Sequence, residues 1–86
     1  MSCLNVMGIL VQNRSINAKE IQEILTKYGC IIKVRVGIPQ VENSSCTEEG
    51  LIMLQLCGTP EEVEELKDSL NALSGVKAEY IELKLD

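Results

Sequence analysis

Leu51-Ile-Met-Leu-Gln-Leu-Cys57 is the stretch that decides the fold of this chain. It is apolar at every position except Gln55, and it ends at Gly58. A run of this length, apolar at consecutive positions and bounded by a turn residue, is typical of a strand that is covered on both faces. We therefore predict a central strand here, with helices on one face and a second layer on the other.

Residues 3–11 predict a second strand of the same kind. Both of its faces are apolar: one would carry Leu4, Val6, Gly8 and Leu10, and the other Met7, Ile9 and Val11. Because neither face is polar, we expect this strand beside the first one in the middle of the sheet.

Two helices are predicted from their start signals and apolar stripes. In the first, Asn17 would be the N-cap, Glu20 would complete a capping-box-like pair, and Ile16 would pack on Ile21 as a hydrophobic staple. Gly29 stands where the helix would need a left-handed residue to end. The residues of its stripe have helical spacing: Ile21, Ile24, Leu25 and Tyr28.

The second helix has a stronger start signal. Thr59 would be the N-cap, with Pro60 in the first position and Glu62 in the third. Its glutamates would face solvent and complement the helix dipole. Gly75 would end the element, and the buried stripe would consist of Val63, Leu66, Leu70 and Leu73.

The remaining segments predict two edge strands and a hairpin loop. Residues 30–38 alternate, with Lys33 and Arg35 on the partly wet side, and Pro39 would close that strand. Residues 40–50 are polar and predict a long loop. The last strand, residues 76–85, changes phase near Tyr80 and Ile81. Either a bulge lies there, or the end of the strand turns its apolar side to the open face.

The order strand–helix–strand–strand–helix–strand is that of the ferredoxin-like α+β fold, βαββαβ. We predict a single domain over residues 1–86, with a four-stranded antiparallel sheet in the order 4-1-3-2 and both helices on one face. The opposite, open face would expose Met7, Ile9 and Met53, with Lys33 and Arg35 near its rim. An apolar patch on so short a chain indicates an interface, so we expect a homo-oligomer, a dimer or a tetramer.

Composition excludes several functions. The 86 residues carry a net charge of −5, which argues against binding to a nucleic-acid backbone. No apolar run approaches the length of a membrane span, and no signal peptide is recognised. The four cysteines are widely spaced and there is no His, so we expect no metal, no cofactor, and mostly reduced thiols in a cytoplasmic protein.

Two short motifs add a resemblance. Arg35-Val-Gly-Ile-Pro39 and Leu73-Ser-Gly-Val76, together with the element order and the chain length, resemble the small family of iron-only hydrogenase system regulators. The resemblance implies a stand-alone ACT-like domain with a regulatory, small-molecule-sensing role linked to hydrogenase genes of anaerobes. Members of this family are also similar in fold to the ligand-binding domain of nickel-responsive repressors. Those repressors bind metal through histidines, which this chain lacks.

Candidate ligand-binding residues form two groups. Asn13, Arg14 and Ser15 lie in the loop before the first helix, and this loop and the helix start offer backbone N–H groups and one cation that suit a carboxylate or phosphate. Lys33 and Arg35 would project from the open face of the edge strand, where they could contact an anion. The alternatives are a plain capped helix start for the first group and solvated or rim charges for the second.

Two function classes stay open after these observations. No nucleophile–base pair can be assembled, so we expect no enzyme activity. One class is a regulatory oligomer that senses a small molecule. The other is an oligomerisation or adaptor module that docks on a partner, for example the hydrogenase maturation machinery.

Overall fold

A computed structural model describes residues 2–12, 14–42 and 45–85, and it describes side chains there except at residues 2, 14–16 and 38–49. The elements follow in the order β1 (Ser2–Val11), α1 (Arg14–Lys27), a 3-10 turn (Gly29–Ile31), β2 (Ile32–Glu42), β3 (Ser45–Gly58), α2 (Pro60–Asn71) and β4 (Val76–Glu82). This is the predicted ferredoxin-like order.

The four strands form one antiparallel sheet in the order β2-β3-β1-β4. The two strands predicted to be central, β1 and β3, are central. Side chains from both helices join the same buried cluster on one face of the sheet. The predicted fold class and strand order are therefore confirmed.

The core lies between the helices and one face of the sheet. Met7 and Ile9 of β1 are completely buried there, so their predicted place on the open face is wrong. Register explains the error: Met7 pairs with Leu54, and Gly8 pairs with Met53. Directly opposite residues of an antiparallel pair share a face. Met53 is therefore on the face away from the helices, as predicted, while Met7 lies beneath them.

Residues on β1 and β3 give a physical reason for this choice of face. Gly8 has no side chain to fill a core, and Gln55 would carry an amide into an apolar layer at a cost. Both belong to the face away from the helices, because Gly8 pairs with Met53 and Gln55 pairs with Val6. In the middle of the two strands the other face carries only apolar side chains: Met7, Ile9, Ile52, Leu54 and Leu56.

Helix α1 begins at Arg14, three residues before Asn17, the predicted N-cap. Asn17 lies inside the helix and does not cap it. Its side-chain amide instead donates to the carbonyl oxygens of Gln12, at 3.1 Å, and Ser74, at 3.0 Å. The stripe prediction holds, since Ile21 and Leu25 are buried and the rest of the stripe is half-buried.

Helix α2 follows its prediction closely. The Glu62 N–H donates to the Thr59 side-chain oxygen at 3.2 Å, and the Thr59 N–H donates to Glu62 Oε1 at 2.8 Å, which completes the capping box. Val63, Leu66 and Leu70 are completely buried. The helix ends at Asn71, and Gly75, with φ of 80°, makes the left-handed turn into β4.

Strand β2 differs most from its prediction. Gly29 does not adopt a left-handed conformation; it begins the 3-10 turn, which delays the strand to Ile32. The strand continues past Pro39 to Glu42, because a register shift between Pro39 and Val41 accommodates the proline. The loop predicted over residues 40–50 is thus largely a hairpin extension, with Asn43 and Ser44 outside the described residues.

Candidate functional site

The face of the sheet away from the helices, here called the open face, carries several exposed apolar side chains. Two rows of paired residues cross it: Val36–Met53–Gly8–Glu79 and Val34–Gln55–Val6–Ile81. Large apolar side chains are 41–60% exposed on it: Leu10, Val34, Val36, Met53 and Ile81. Apolar patches that extend across several strands usually mark interaction sites.

Polar residues border the open face on one side. The β4 residues Lys77 and Glu79 lie on the open face at this edge of the sheet, with 3.8 Å between the Lys77 ammonium nitrogen and the nearest Glu79 carboxylate oxygen. Farther along β4, Ile81 pairs with Val6 in an unbroken register, so the phase change in the sequence is not a bulge. The end of β4 instead turns its apolar side to the open face, the second of the two alternatives.

The first group of predicted ligand residues lies at the start of α1. Arg14 and Ser15 are the first two residues of the helix, whereas Asn13 and the side chains of Arg14 and Ser15 lie outside what the structure describes. The first turn of α1 contains no acidic residue. The positive end of the helix dipole is therefore not offset by a carboxylate of its own first turn.

The second group, Lys33 and Arg35, is exposed on β2. Arg35 pairs with Leu54, which places it on the helix-bearing side, so the predicted position on the open face is wrong. Val34 and Val36 occupy that face instead, because the 3-10 turn and a register shift between Ile32 and Val34 reset the phase of the strand.

The structure does not bring the two groups together. Strand β1 ends at Val11, which pairs with Gly50, and Gly50 pairs with Pro39. Arg35 is four residues from Pro39 along β2, a distance of about 13 Å at the usual rise of a strand. A single small anion therefore does not span the start of α1 and Arg35 in one subunit.

A polar cluster between α2 and β4 was missed by sequence reasoning. The Tyr80 hydroxyl donates to Glu64 Oε2, and Lys67 Nζ lies 3.0 Å from Glu64 Oε1 and 5.8 Å from the centre of the Tyr80 ring. The cluster lines an open groove of about 500 Å³. The spacing of Glu64 and Lys67 is visible in the sequence, but the contact with Tyr80 depends on tertiary packing.

Hydrogen bonding within the cluster shifts three pKa values. The bond from Tyr80, followed by that from Lys67, lowers the pKa of Glu64. The same carboxylate raises the pKa of Lys67 and the pKa of Tyr80 by hydrogen bonding to each. Glu64 is thus held as an anion by two donors, although its side chain stays about half exposed to solvent, as predicted for the glutamates of α2.

Asn71, at the end of α2, closes part of the outer edge of β4. Its Nδ2 donates to the Ala78 carbonyl at 2.9 Å, and its Oδ1 accepts from the Ala78 N–H at 2.7 Å. One side chain thereby occupies both backbone groups that a further strand would use at this position. This covering protects the edge from strand addition.

Two of the cysteines are joined, which corrects the expectation of reduced thiols. Cys3 on β1 and Cys57 on β3 form a disulfide, although 54 residues separate them. The antiparallel pairing places the start of β1 opposite the end of β3, with Ser2 paired to Gly58. Cys30 is exposed and takes no part in a disulfide. The side chain of Cys46 lies outside the described residues.

The described residues offer neither a metal-binding cluster nor a membrane-spanning helix. Within residues 2–12, 14–42 and 45–85, no group of three or more His, Cys, Asp or Glu side chains could hold a metal ion. In the same part of the chain, no helix is long and apolar enough to cross a membrane.

Comparison with known proteins gives one family. A model of the TM1266-like family, described as "Iron-only hydrogenase system regulator, putative", matches residues 3–79. The structure of the uncharacterized protein TM1266 from Thermotoga maritima superimposes with a TM-score of 0.83 and 26% identity, covering 93% of this chain and 95% of that one. No curated protein sequence matches the chain.

More distant structures share the fold. A "putative PII-like signaling protein" from Thermus thermophilus aligns with a TM-score of 0.62 and 14% identity, over 93% of this chain and 86% of that one. CPII from Thiomonas intermedia K12, bound to ADP, AMP and acetate, aligns with a TM-score of 0.54 and 15% identity, over 95% and 89% of the two chains.

Proposed function

This chain belongs to the TM1266-like family, and we propose that it is a non-enzymatic, cytoplasmic regulatory domain that self-associates through its open face and senses a small anionic molecule. The observation that carries the proposal is the open face itself, an apolar surface on a chain of 86 residues. The proposed assembly is a homodimer or a tetramer.

Energetics support self-association through this face. Leu10, Val36 and Met53 are each close to half exposed in the single chain. Covering a half-exposed side chain of this size stabilises by roughly 1 kcal/mol, half the value for complete burial. For a domain whose net stability is about 5–10 kcal/mol, several such gains are a large fraction of the total. A second copy supplies an identical apolar face, and closed two-fold dimers are the commonest solution.

Two positions support the ligand-sensing part of the proposal. The start of α1, with Asn13, Arg14 and Ser15, would bind an anion with backbone N–H groups and one cation. Lys33 and Arg35 would form a separate basic contact on β2. CPII shares this fold and is bound to ADP, AMP and acetate, all of which carry anionic groups. We therefore propose phosphate- or carboxylate-bearing molecules as the ligand class.

Self-association is tested by charging the open face. Met53→Lys would place an ammonium in the proposed interface, where burying it without a partner is costly. Light scattering after gel filtration should give a dimer or tetramer mass for the parent chain and a monomer mass for Met53→Lys at micromolar concentration. Gln22→Lys adds the same charge at an exposed position of α1 and should keep the parent mass. A monomeric parent chain whose melting temperature is independent of concentration would overturn this part of the proposal.

Ligand sensing is tested by thermal shift with phosphate, acetate, ADP and AMP. A ligand that binds only the folded state raises the melting temperature as its concentration passes its dissociation constant. The double variant Lys33→Gln and Arg35→Gln should weaken the shift if β2 binds the anion, whereas Lys19→Gln on α1 should not. An oligomer that none of these molecules stabilises would instead favour the adaptor function.

A further inference from the structure

Cys3 and Cys57 lie where the two central strands meet at one end of the sheet. Cys3 is exposed and Cys57 is half-buried. The β1–β3 register is irregular between Ser2 and Asn5, so this part of β1 is tied less regularly to β3 than the rest of the strand. The disulfide bridges this irregular segment and joins it to the residue that precedes Gly58.

We propose that Cys3 and Cys57 form a reversible thiol–disulfide site that exchanges with low-molecular-weight disulfides and thiols. The proposal rests on the placement of the two cysteines and on the cytoplasmic location proposed above, and it does not depend on self-association or on ligand binding. Disulfides that persist in reducing compartments are rare, and those that occur there are usually transient or redox-sensing. An exposed cysteine beside a second cysteine is also the usual arrangement of a redox-responsive pair.

Oxidation proceeds in two exchange steps. The thiolate of Cys3, the more accessible of the two, attacks one sulfur of a small disulfide, forms a mixed disulfide and releases one small thiolate. The thiolate of Cys57 then attacks the Cys3 sulfur and releases the second small thiolate. The pair loses two electrons and two protons in total, and the small disulfide becomes two thiols. Reduction by two small thiols reverses both steps.

The bond controls how firmly the start of β1 is held. When it is open, the contacts that still hold this segment include the bond from Gln55 Nε2 to the Cys3 carbonyl at 3.1 Å and the bond from the Leu83 N–H to the Leu4 carbonyl at 2.9 Å. Leu4 is 56% exposed. Reduction should therefore loosen the first residues of β1 while α2, packed in the core, stays unchanged.

The first test is a redox titration of the purified chain with glutathione and glutathione disulfide. After alkylation, a protease that cleaves after glutamate separates Cys57 from Cys46, because Glu48 and Glu49 lie between them. The expected product is a peptide pair linked through Cys3 and Cys57. Its ratio to the alkylated peptides should rise tenfold for each tenfold rise of glutathione disulfide at constant glutathione, as a two-electron couple requires. Full alkylation of both cysteines in every mixture, or links to Cys30 instead, would overturn the proposal.

The second test reads the structural effect by hydrogen exchange. The Leu4 amide should exchange at least about tenfold faster in the reduced chain than in the oxidised chain, while the Leu66 amide of α2 keeps its rate. Cys3→Ser should show the fast rate under both conditions, and Cys30→Ser should behave like the parent chain. If Cys3→Ser does not fold, the comparison of the two redox states of the parent chain decides. Equal Leu4 rates in the two states would refute control of the β1 start by this bond.

Discussion

Removing the Asn71 side chain is the sharpest test of how α2 and the sheet edge are joined. In Asn71→Ala, the Ala78 N–H and carbonyl each lose their partner, at 2.7 and 2.9 Å respectively. Ala78 itself is completely buried. The amide of Asn71 is thus a two-point clamp between the end of the helix and the edge strand.

The magnitude follows from these two bonds. A typical intramolecular hydrogen bond contributes about 1 kcal/mol net, and a buried group left without a partner costs about 1–3 kcal/mol. Water can enter from the open groove beside the clamp, which reduces that cost. Alanine also gains a few tenths of a kcal/mol in helix propensity over asparagine. The free energy of unfolding should therefore fall by about 2 kcal/mol.

Urea denaturation followed by circular dichroism, at one fixed protein concentration, measures this loss. Glu65→Ala changes an exposed position of the same helix and should stay within about 0.5 kcal/mol of the parent chain. Asn71→Asp keeps an acceptor for the Ala78 N–H but loses the donor to the Ala78 carbonyl, so it should also be destabilised. A loss for Asn71→Ala no larger than that for Glu65→Ala would refute the clamp.

Two further predictions concern packing and titration. In Gly58→Ala, the new methyl group would lie 2.9 Å from Ile31 Cγ2, a side chain in the core, so we expect destabilisation of about 1–3 kcal/mol in urea; Gly37→Ala, which meets no atom within 4 Å, is the control and should lose much less. Tyr80→Phe should raise the pKa of Glu64, read by NMR titration of its carboxyl carbon, because the hydroxyl is the main cause of the lowered pKa. A carboxyl whose pKa is lower in the folded than in the unfolded state stabilises the fold at pH values above the unfolded-state pKa. This stabilisation disappears as the pH falls through the folded-state pKa. The free energy of unfolding should therefore decrease less on acidification in Tyr80→Phe than in the parent chain. An unchanged Glu64 titration would show that the hydroxyl bond does not form in solution.

Much of the fold could be predicted because its signals are local. The capping box from Thr59 to Glu62 and the stripe of α2 depend on spacings of three and four residues. The apolar character of residues 51–57 identifies a central strand without any knowledge of its neighbours. These features predicted the element order and, through it, the sheet order.

The features that were missed depend on contacts between distant segments. The Asn17 side chain reaches the Ser74 carbonyl, 57 residues away, so its N-cap signal in the sequence was misleading. The Cys3–Cys57 disulfide spans 54 residues. The longer course of β2 depends on pairing with β3 beyond Pro39. None of these contacts has a signature in the local pattern.

The candidate interface shows why a correct fold can accompany incorrect site residues. An apolar strand indicates that both of its faces need cover, but it does not indicate which face meets the helices. In β1 and β3, Gly8 and Gln55 carry that information, because neither is suited to the layer under the helices. Their positions put Met53 on the open face and Met7 in the core. Shifting a strand by one residue moves all of its side chains to the opposite face of the sheet. The identity of every interface residue therefore depends on which face meets the helices.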